Sequence, residues 1–176
     1  MTKTLKIAEI GNPVLRSPAK AVSNIQDPAV QKLIDDLIST TIESNGVGIA
    51  APQVSQSLQL FIVASRPNLR YLHAPMMDPT PMINPQILHY SDEAVIEWEG
   101  CLSVPGMRGL VKRPKEIEVL YTDRHGQQHQ QIFADFVARI IQHEYDHING
   151  QVFLDRVEST LDLMSEAEYH SRIVCG

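Results

Sequence analysis

Asp135-Phe-Val-Ala-Arg-Ile-Ile-Gln-His143-Glu-Tyr-Asp-His147-Ile-Asn149 is the segment from which the rest of this chain is most readily understood. Phe136, Val137, Ile140, Ile141 and Ile148 recur at three- and four-residue spacing, and Asn149-Gly150 supplies a stop, so a helix is predicted over about 135–149. On that helix His143 and His147 stand one above the other, with Cβ atoms roughly 5–6 Å apart. Two imidazoles so placed converge on one cation. Glu144 shares the apolar face with Val137, Ile140, Ile141 and Ile148, where a carboxylate is costly without a partner or a task. Its task would be that of a general base for water activated by the ion.

Two histidines do not close a metal site. Proteases that continue with a glycine and a third histidine are excluded, because Gly150 is present but Phe153 stands in the histidine position. Proteases that take a glutamate from a later helix remain open through Glu166 or Glu168. The other candidate lies upstream, in Glu99-Gly-Cys-Leu-Ser103: a Cys101 thiolate suits a borderline-soft divalent ion, and Gly100 permits close backbone approach. A closed structural site would have no use for the base Glu144.

Outward from these segments the chain reads as ordinary globular protein. It has 176 residues, the size of about one domain, so one unit over 1–176 is expected. Fifteen Lys and Arg against 21 Asp and Glu leave a net charge of −6 with no basic block, which gives no electrostatic reason to bind nucleic acid or an anionic membrane. Two cysteines, Cys101 and Cys175, exclude a disulfide scaffold, and no apolar run approaches the ~20 residues of a membrane span. The N-terminal stretch Met1–Ile10 lacks the apolar core of a secretory signal.

A first helix is expected over 27–44, with Asp27 as N-cap, Pro28 at the first helical position and a stripe of Val30, Leu33, Ile34, Leu37, Ile38 and Ile42. Strands are expected over 58–64, 81–90 and 116–122, the last returning through a turn at 123–126 into 128–133. The prolines between 66 and 85 read as an irregular connection. This order, a helix, antiparallel strands and a second helix, implies an α+β fold: antiparallel β-sheets packed around a central metal-bearing helix, with an N-terminal helix. Gly46-Val-Gly-Ile-Ala-Ala-Pro-Gln53 lacks the Lys-Ser/Thr of a phosphate loop; its small residues suit passage close to a buried site, presenting the Gln53 amide.

Gly46-Val-Gly-Ile-Ala-Ala-Pro-Gln53, Glu99-Gly-Cys-Leu-Ser103 and Gln142-His-Glu-Tyr-Asp-His147, in that order, resemble the three motifs of the peptide deformylase family. The likeness extends over about 5–155, including Gly11-Asn-Pro-Val-Leu-Arg16 and Ile83-Asn-Pro85. It implies a hydrolase that removes the formyl group from the initiator methionine of nascent polypeptides in the cytoplasm, releasing formate. It also implies one divalent ion held by Cys101, His143 and His147, Fe2+ by expectation, with Zn2+, Ni2+ or Co2+ able to replace it. Glu144 would be the base and later the acid, while the Gln53 side chain and the Leu102 N–H would hold the developing oxyanion. Val47, Gly48, Gly100 and Ile140, with Leu102 and His143, would border the methionine pocket, and Arg108 would contact the peptide backbone. Asp146 would be structural, with Arg113 as its partner. Some members dock on the ribosome through a basic C-terminal helix; here Glu158, Asp162, Glu166 and Glu168 face Arg172 alone, so that docking gains no support.

Overall fold

The computed structural model describes residues 3–175; Met1, Thr2 and Gly176, the ends of the expected 1–176 unit and the start of the N-terminal stretch, lie outside the described residues. The chain runs through α1 (Pro28–Glu43), β1 (Gly48–Ala50), β2 (Leu60–Val63), β3 (Thr80–Tyr90), β4 (Ala94–Cys101), β5 (Val104–Pro114), β6 (Glu116–Thr122), β7 (Gln128–Ala134), α2 (Asp135–Ile148), β8 (Leu163–Ser165) and α3 (Glu166–Tyr169), which continues in π-helical form over His170–Val174. The class is α+β, with every strand pair in the two sheets antiparallel.

A five-stranded sheet has the order β1-β2-β3-β6-β7, and a second sheet of three strands has the order β4-β5-β8. α1 and α2 lie on opposite faces of the larger sheet, and β2 shows why its sequence is continuously apolar. Successive side chains of a strand point to opposite faces. Phe61 and Val63 enter the core shared with Ile140, Ile141 and Ile148 of α2. Leu60 and Ile62 enter the core shared with Ile34 and Leu37 of α1. A strand buried on both faces has no polar alternation to display.

Local signals start and stop the helices as expected. The Asp27 carboxylate accepts from the Ala29 N–H at 2.8 Å with Pro28 in the first turn, and α1 ends at Ser44. β3 begins at Thr80, one residue before the expected start at 81, and takes in Pro81 and Pro85. Pro85 falls at a register shift between Ile83 and Gln86, where its missing N–H breaks no regular ladder. Asn84, with φ 49°, turns its side chain to the Val22 backbone, accepting at 2.8 Å and donating at 2.9 Å.

β4 and β5 form the longest ladder outside the larger sheet, from Ala94↔Pro114 to Cys101↔Val104. Leu102-Ser103 makes the turn between them. Cys101 therefore sits at the tip of a hairpin, beside a register shift at Gly100, where the tip meets α2.

Candidate metal centre

Three elements deliver the metal-ligating side chains and their neighbours to one point. α2 presents His143 and His147 on successive turns, with ring centroids 5.1 Å apart. The β4–β5 hairpin brings Cys101 to them: its Sγ lies 3.3 Å from His147 Nε2. The donor atoms of Cys101, His143 and His147 all lie within 4.8 Å of one another. Two ligands of one four-coordinate ion, at bond lengths of about 2.0–2.3 Å, stand roughly 3.5 Å apart, so this triangle is of ligand size. The segment after α1 brings Gln53, whose Oε1 accepts from the Ala50 N–H at 2.8 Å. Its Nε2 donates to Ser103 Oγ at 3.1 Å and lies 3.5 Å from Cys101 Sγ.

Protein charges alone already favour the thiolate that an ion would bind. Burial opposes ionisation of the Cys101 thiol, but the charge of His147 and the hydrogen bonds of both histidines outweigh it and hold the thiol well below its usual value. Burial likewise opposes a proton on His143, yet Cys101 and Glu99 raise that ring well above its ordinary value. A cation among the three donors would take the place of that proton and keep the sulfur a thiolate. Glu144 is pushed up to about 7, chiefly by burial, against the charges of His143 and His147. Near neutral pH it sits close to its own midpoint, as a group that both takes and returns a proton should.

The fit of an ion is supported by what the protein leaves open. Glu144 Oε2 is buried and has no protein hydrogen-bond partner among the described residues. A buried, unpaired carboxylate oxygen costs free energy unless something else occupies it. A thiolate with two imidazoles is a donor set suited to iron, zinc, cobalt or nickel rather than to magnesium or calcium.

Behind the ligands lies a buried charge network. The Glu99 carboxylate accepts from His143 Nδ1 at 2.9 Å, which leaves the ring's Nε2 for the ion. It also accepts from Arg113 Nε and Nη2 at 2.8 and 2.9 Å and from Arg139 Nη1 at 2.8 Å. Burial resists charge on Glu99, but Arg113 and His143 hold its carboxyl far below the usual range. Arg113 reaches on to Asp146 Oδ2 at 2.8 Å, pairing the two residues as expected, and Arg156 closes on Asp146 Oδ1 at 2.7 Å.

Of the residues singled out from sequence, Val47, Gly48, Gln53, Gly100, Cys101, Leu102, Ile140, His143 and Glu144 line one cavity. His147 lies behind it, fully buried. Gly48 is required by close approach: a Cβ there would stand 2.6 Å from Glu144 Oε1. Arg108 is elsewhere. Its side chain has no exposed surface and is engaged by Glu166, through Nε at 3.0 Å and Nη2 at 2.7 Å, so it presents no free arm to a peptide backbone. The same contacts overturn a glutamate ligand from the C-terminal segment, since Glu166 is occupied by Arg108 and Glu168 is exposed away from the donor triangle. The sequence reading missed Arg70, Tyr71, Phe136 and Arg139 as cavity walls. Arg139 was within reach, one turn before His143 on the same helix face; Tyr71, inside the proline-rich connection, carries no local signal.

Comparison with known proteins agrees with this geometry. A family model described as polypeptide deformylase matches residues 4–162. Peptide deformylase 2 of Nostoc sp. is 60% identical over 169 residues, which cover 96% of this chain and 94% of that protein. A peptide deformylase of Synechocystis sp. is 43% identical over 90% of this chain and 82% of its own length. Among solved structures, the Met-Ala-Ser-bound class I type b peptide deformylase of Acinetobacter baumannii is similar at a TM-score of 0.87 and 44% identity, covering 89% of this chain and all (100%) of that one. The Synechococcus elongatus peptide deformylase in complex with actinonin has a TM-score of 0.81 at 37% identity, over 92% and 84% of the two chains.

Proposed function

This chain belongs to the peptide deformylase family, and from that premise we propose how its own residues carry out the reaction. The enzyme hydrolyses the N-formyl group of the initiator methionine of newly made polypeptides and releases formate. Cys101, His143 and His147 hold one divalent ion, with Fe2+ the expected occupant and Zn2+, Ni2+ or Co2+ able to take its place. When bound, the ion supplies a Lewis acid and lowers the pKa of water at the site.

Glu144 accepts a proton from the attacking water and later delivers it to the leaving amine. Its buried, unpartnered Oε2 is the observation that carries the reading. Oxygen that becomes negative at the formyl carbon receives hydrogen bonds from Gln53 Nε2, an amide already held by the Ala50 N–H and Ser103, and from the Leu102 N–H. Val47, Gly48, Gly100 and Ile140 border the methionine side chain, with Phe136 added to them from the cavity wall. The tripeptide in the Acinetobacter baumannii enzyme is the product of this reaction on a formylated Met-Ala-Ser, which supports a formyl-Met polypeptide as substrate here.

Residues 1–176 act as one catalytic domain in the cytoplasm. No described helix is long and apolar enough to cross a membrane, in keeping with that placement. The acidic C-terminal residues make a basic ribosome-docking helix a poor description of this chain.

The test is formate release from formyl-Met-Ala-Ser by the ion-loaded enzyme. Glu144→Gln should retain stoichiometric metal while kcat falls by about 10²–10⁴. A variant that keeps its rate removes Glu144 from the mechanism, and Cys101→Ser retaining full metal affinity removes the ligand set.

A further inference from the structure

Arg108 is a fully buried cation that takes no part in the charge network behind the metal ligands. It lies opposite Gly100 across the β4–β5 ladder, and its side chain crosses directly over that glycine. A Cβ on Gly100 would stand 2.9 Å from Cδ, Nε and Cζ of Arg108. The residue before the ligand Cys101 thus leaves the space through which Arg108 passes.

The guanidinium then ties together two distant parts of the chain. Nε and Nη2 make a two-pronged contact with Glu166 at the start of α3. Nη1 donates to Tyr71 Oη at 3.3 Å. The group lies between aromatic rings, 4.7 Å from the centroid of Tyr169 and 5.2 Å from that of Tyr71. α3 is itself registered on β5, because β8 pairs with β5 through Arg108↔Met164. Tyr71 lies in the connection between β2 and β3, with its ring 5.3 Å from Phe136. Tyr71 and Phe136 line the same cavity as Cys101, His143 and Glu144. Trp98, another lining residue, meets Tyr169 edge-on at 5.9 Å.

A buried guanidinium is costly without its carboxylate. Loss of Glu166 would draw Arg108 toward water and away from Tyr71, whose side-chain hydroxyl has no other recorded protein partner among the described residues. Resting on the deformylase reading above, we propose that the C-terminal helix takes part in substrate recognition: Tyr71 closes the methionine pocket from the loop side, and Arg108 and Glu166 are positioning residues that hold it there. A C-terminus that was merely braced would change stability when cut loose; a segment that sets a pocket wall changes KM selectively.

Steady-state kinetics of ion-loaded wild type, Glu166→Gln, Tyr71→Ala and the double variant, on formyl-Met-Ala-Ser and formyl-Ala-Ala-Ser, separate these outcomes. Glu166→Gln is expected to raise KM for the methionine substrate by about fivefold, the worth of part of a charge-assisted contact, with kcat within about twofold. The alanine substrate, too short to reach the ring, should be nearly unaffected, and metal content should be unchanged. In the Tyr71→Ala background, Glu166→Gln should add no further rise, because the two act through one contact. An unchanged KM, an equal rise for both substrates, or additive effects would overturn the inference. If Glu166→Gln does not fold, Arg108→Lys keeps the charge, removes the two-pronged contact, and is read in the same way. Wild type that releases no formate from either substrate would instead defeat the deformylase reading itself, and this inference with it.

Discussion

On the metal side of the cavity, Glu99, Arg113, Arg139 and Asp146 are each at most 6% exposed, and each carries at least two charged partners. On the loop side, Tyr71 and Tyr169 are half-buried and share one guanidinium, itself held by one carboxylate with 29% of its side chain exposed. The same kind of contact, a guanidinium on a carboxylate, serves both. The difference lies in redundancy: His143 is oriented by a Glu99 that two arginines hold, whereas the Tyr71 hydroxyl is met by Arg108 and its ring rests on Phe136. Ligands of an ion must stay within tenths of an ångström, and for His143 multiply bonded buried groups provide that, while His147, whose buried Nδ1 has no hydrogen-bond partner among the described residues, is held by packing. A pocket wall for a flexible methionine side chain tolerates more freedom.

This contrast can be broken first at Arg113. Arg113→Met leaves Glu99 and Asp146 short of their shared cation, and a broken buried pair costs about 3–5 kcal/mol, so urea unfolding should show a loss of that order. A loss below about 1 kcal/mol would mean that Arg139 and Arg156 suffice and that the metal side is no more tightly held than the loop side.

Glu99→Gln should act next, on the ion as well as on the fold, since it also leaves buried Arg113 and Arg139 short of an anion. A neutral amide holds His143 Nδ1 less firmly, and metal affinity measured by chelator competition should fall about 10–100-fold. Unchanged affinity would remove Glu99 from the positioning of His143.

Acid pH sharpens the loop side. Burial opposes ionisation of Glu166, but the hydrogen bonds and charge of Arg108 hold its carboxyl below the ordinary value of 4.5. Because the folded-state value is the lower, the contribution of Glu166 to stability is complete above 4.5 and is lost as pH falls through the folded-state value. Wild type should therefore lose more Tm than Glu166→Gln between about pH 5 and pH 3. Parallel curves would show that Glu166 contributes nothing to the fold.

The smallest effect is expected at an exposed pair of the same chemistry, Lys115 Nζ with Glu93 Oε1 at 3.1 Å. Glu93→Ala should leave Tm within error, since solvent screens such pairs. A shift as large as that of Arg113→Met would show that burial is not what separates these contacts.

The parts of the molecule legible in advance are those specified over a few residues. The ligand helix was expected over 135–149 and spans Asp135–Ile148, because a periodicity of three and four and an i, i+4 histidine pair are properties of one segment. α1 with its Asp27 cap, the strands around 60–63 and 80–90, and the 116–134 hairpin follow for the same reason. The β4–β5 hairpin was not anticipated. Its inward positions include Glu99, Arg108 and Arg113, charged residues that read as a solvated face until their partners are known.

Arg108 shows where local reading ends. Its sequence neighbourhood, next to the cysteine motif, points to a peptide contact, and its position opposite Gly100 does bring it beside the site. What turned it inward is Glu166, 58 residues away, and what it holds is Tyr71, 37 residues away. The amino-acid sequence alone determined which side chains can meet in this protein: which helix carries the histidines, which carboxylate stands beside them, and which cysteine is available to join them. Only the tertiary structure decided which charges are buried and what each one holds, because the cost of burying a charge is met by partners that no local pattern can announce.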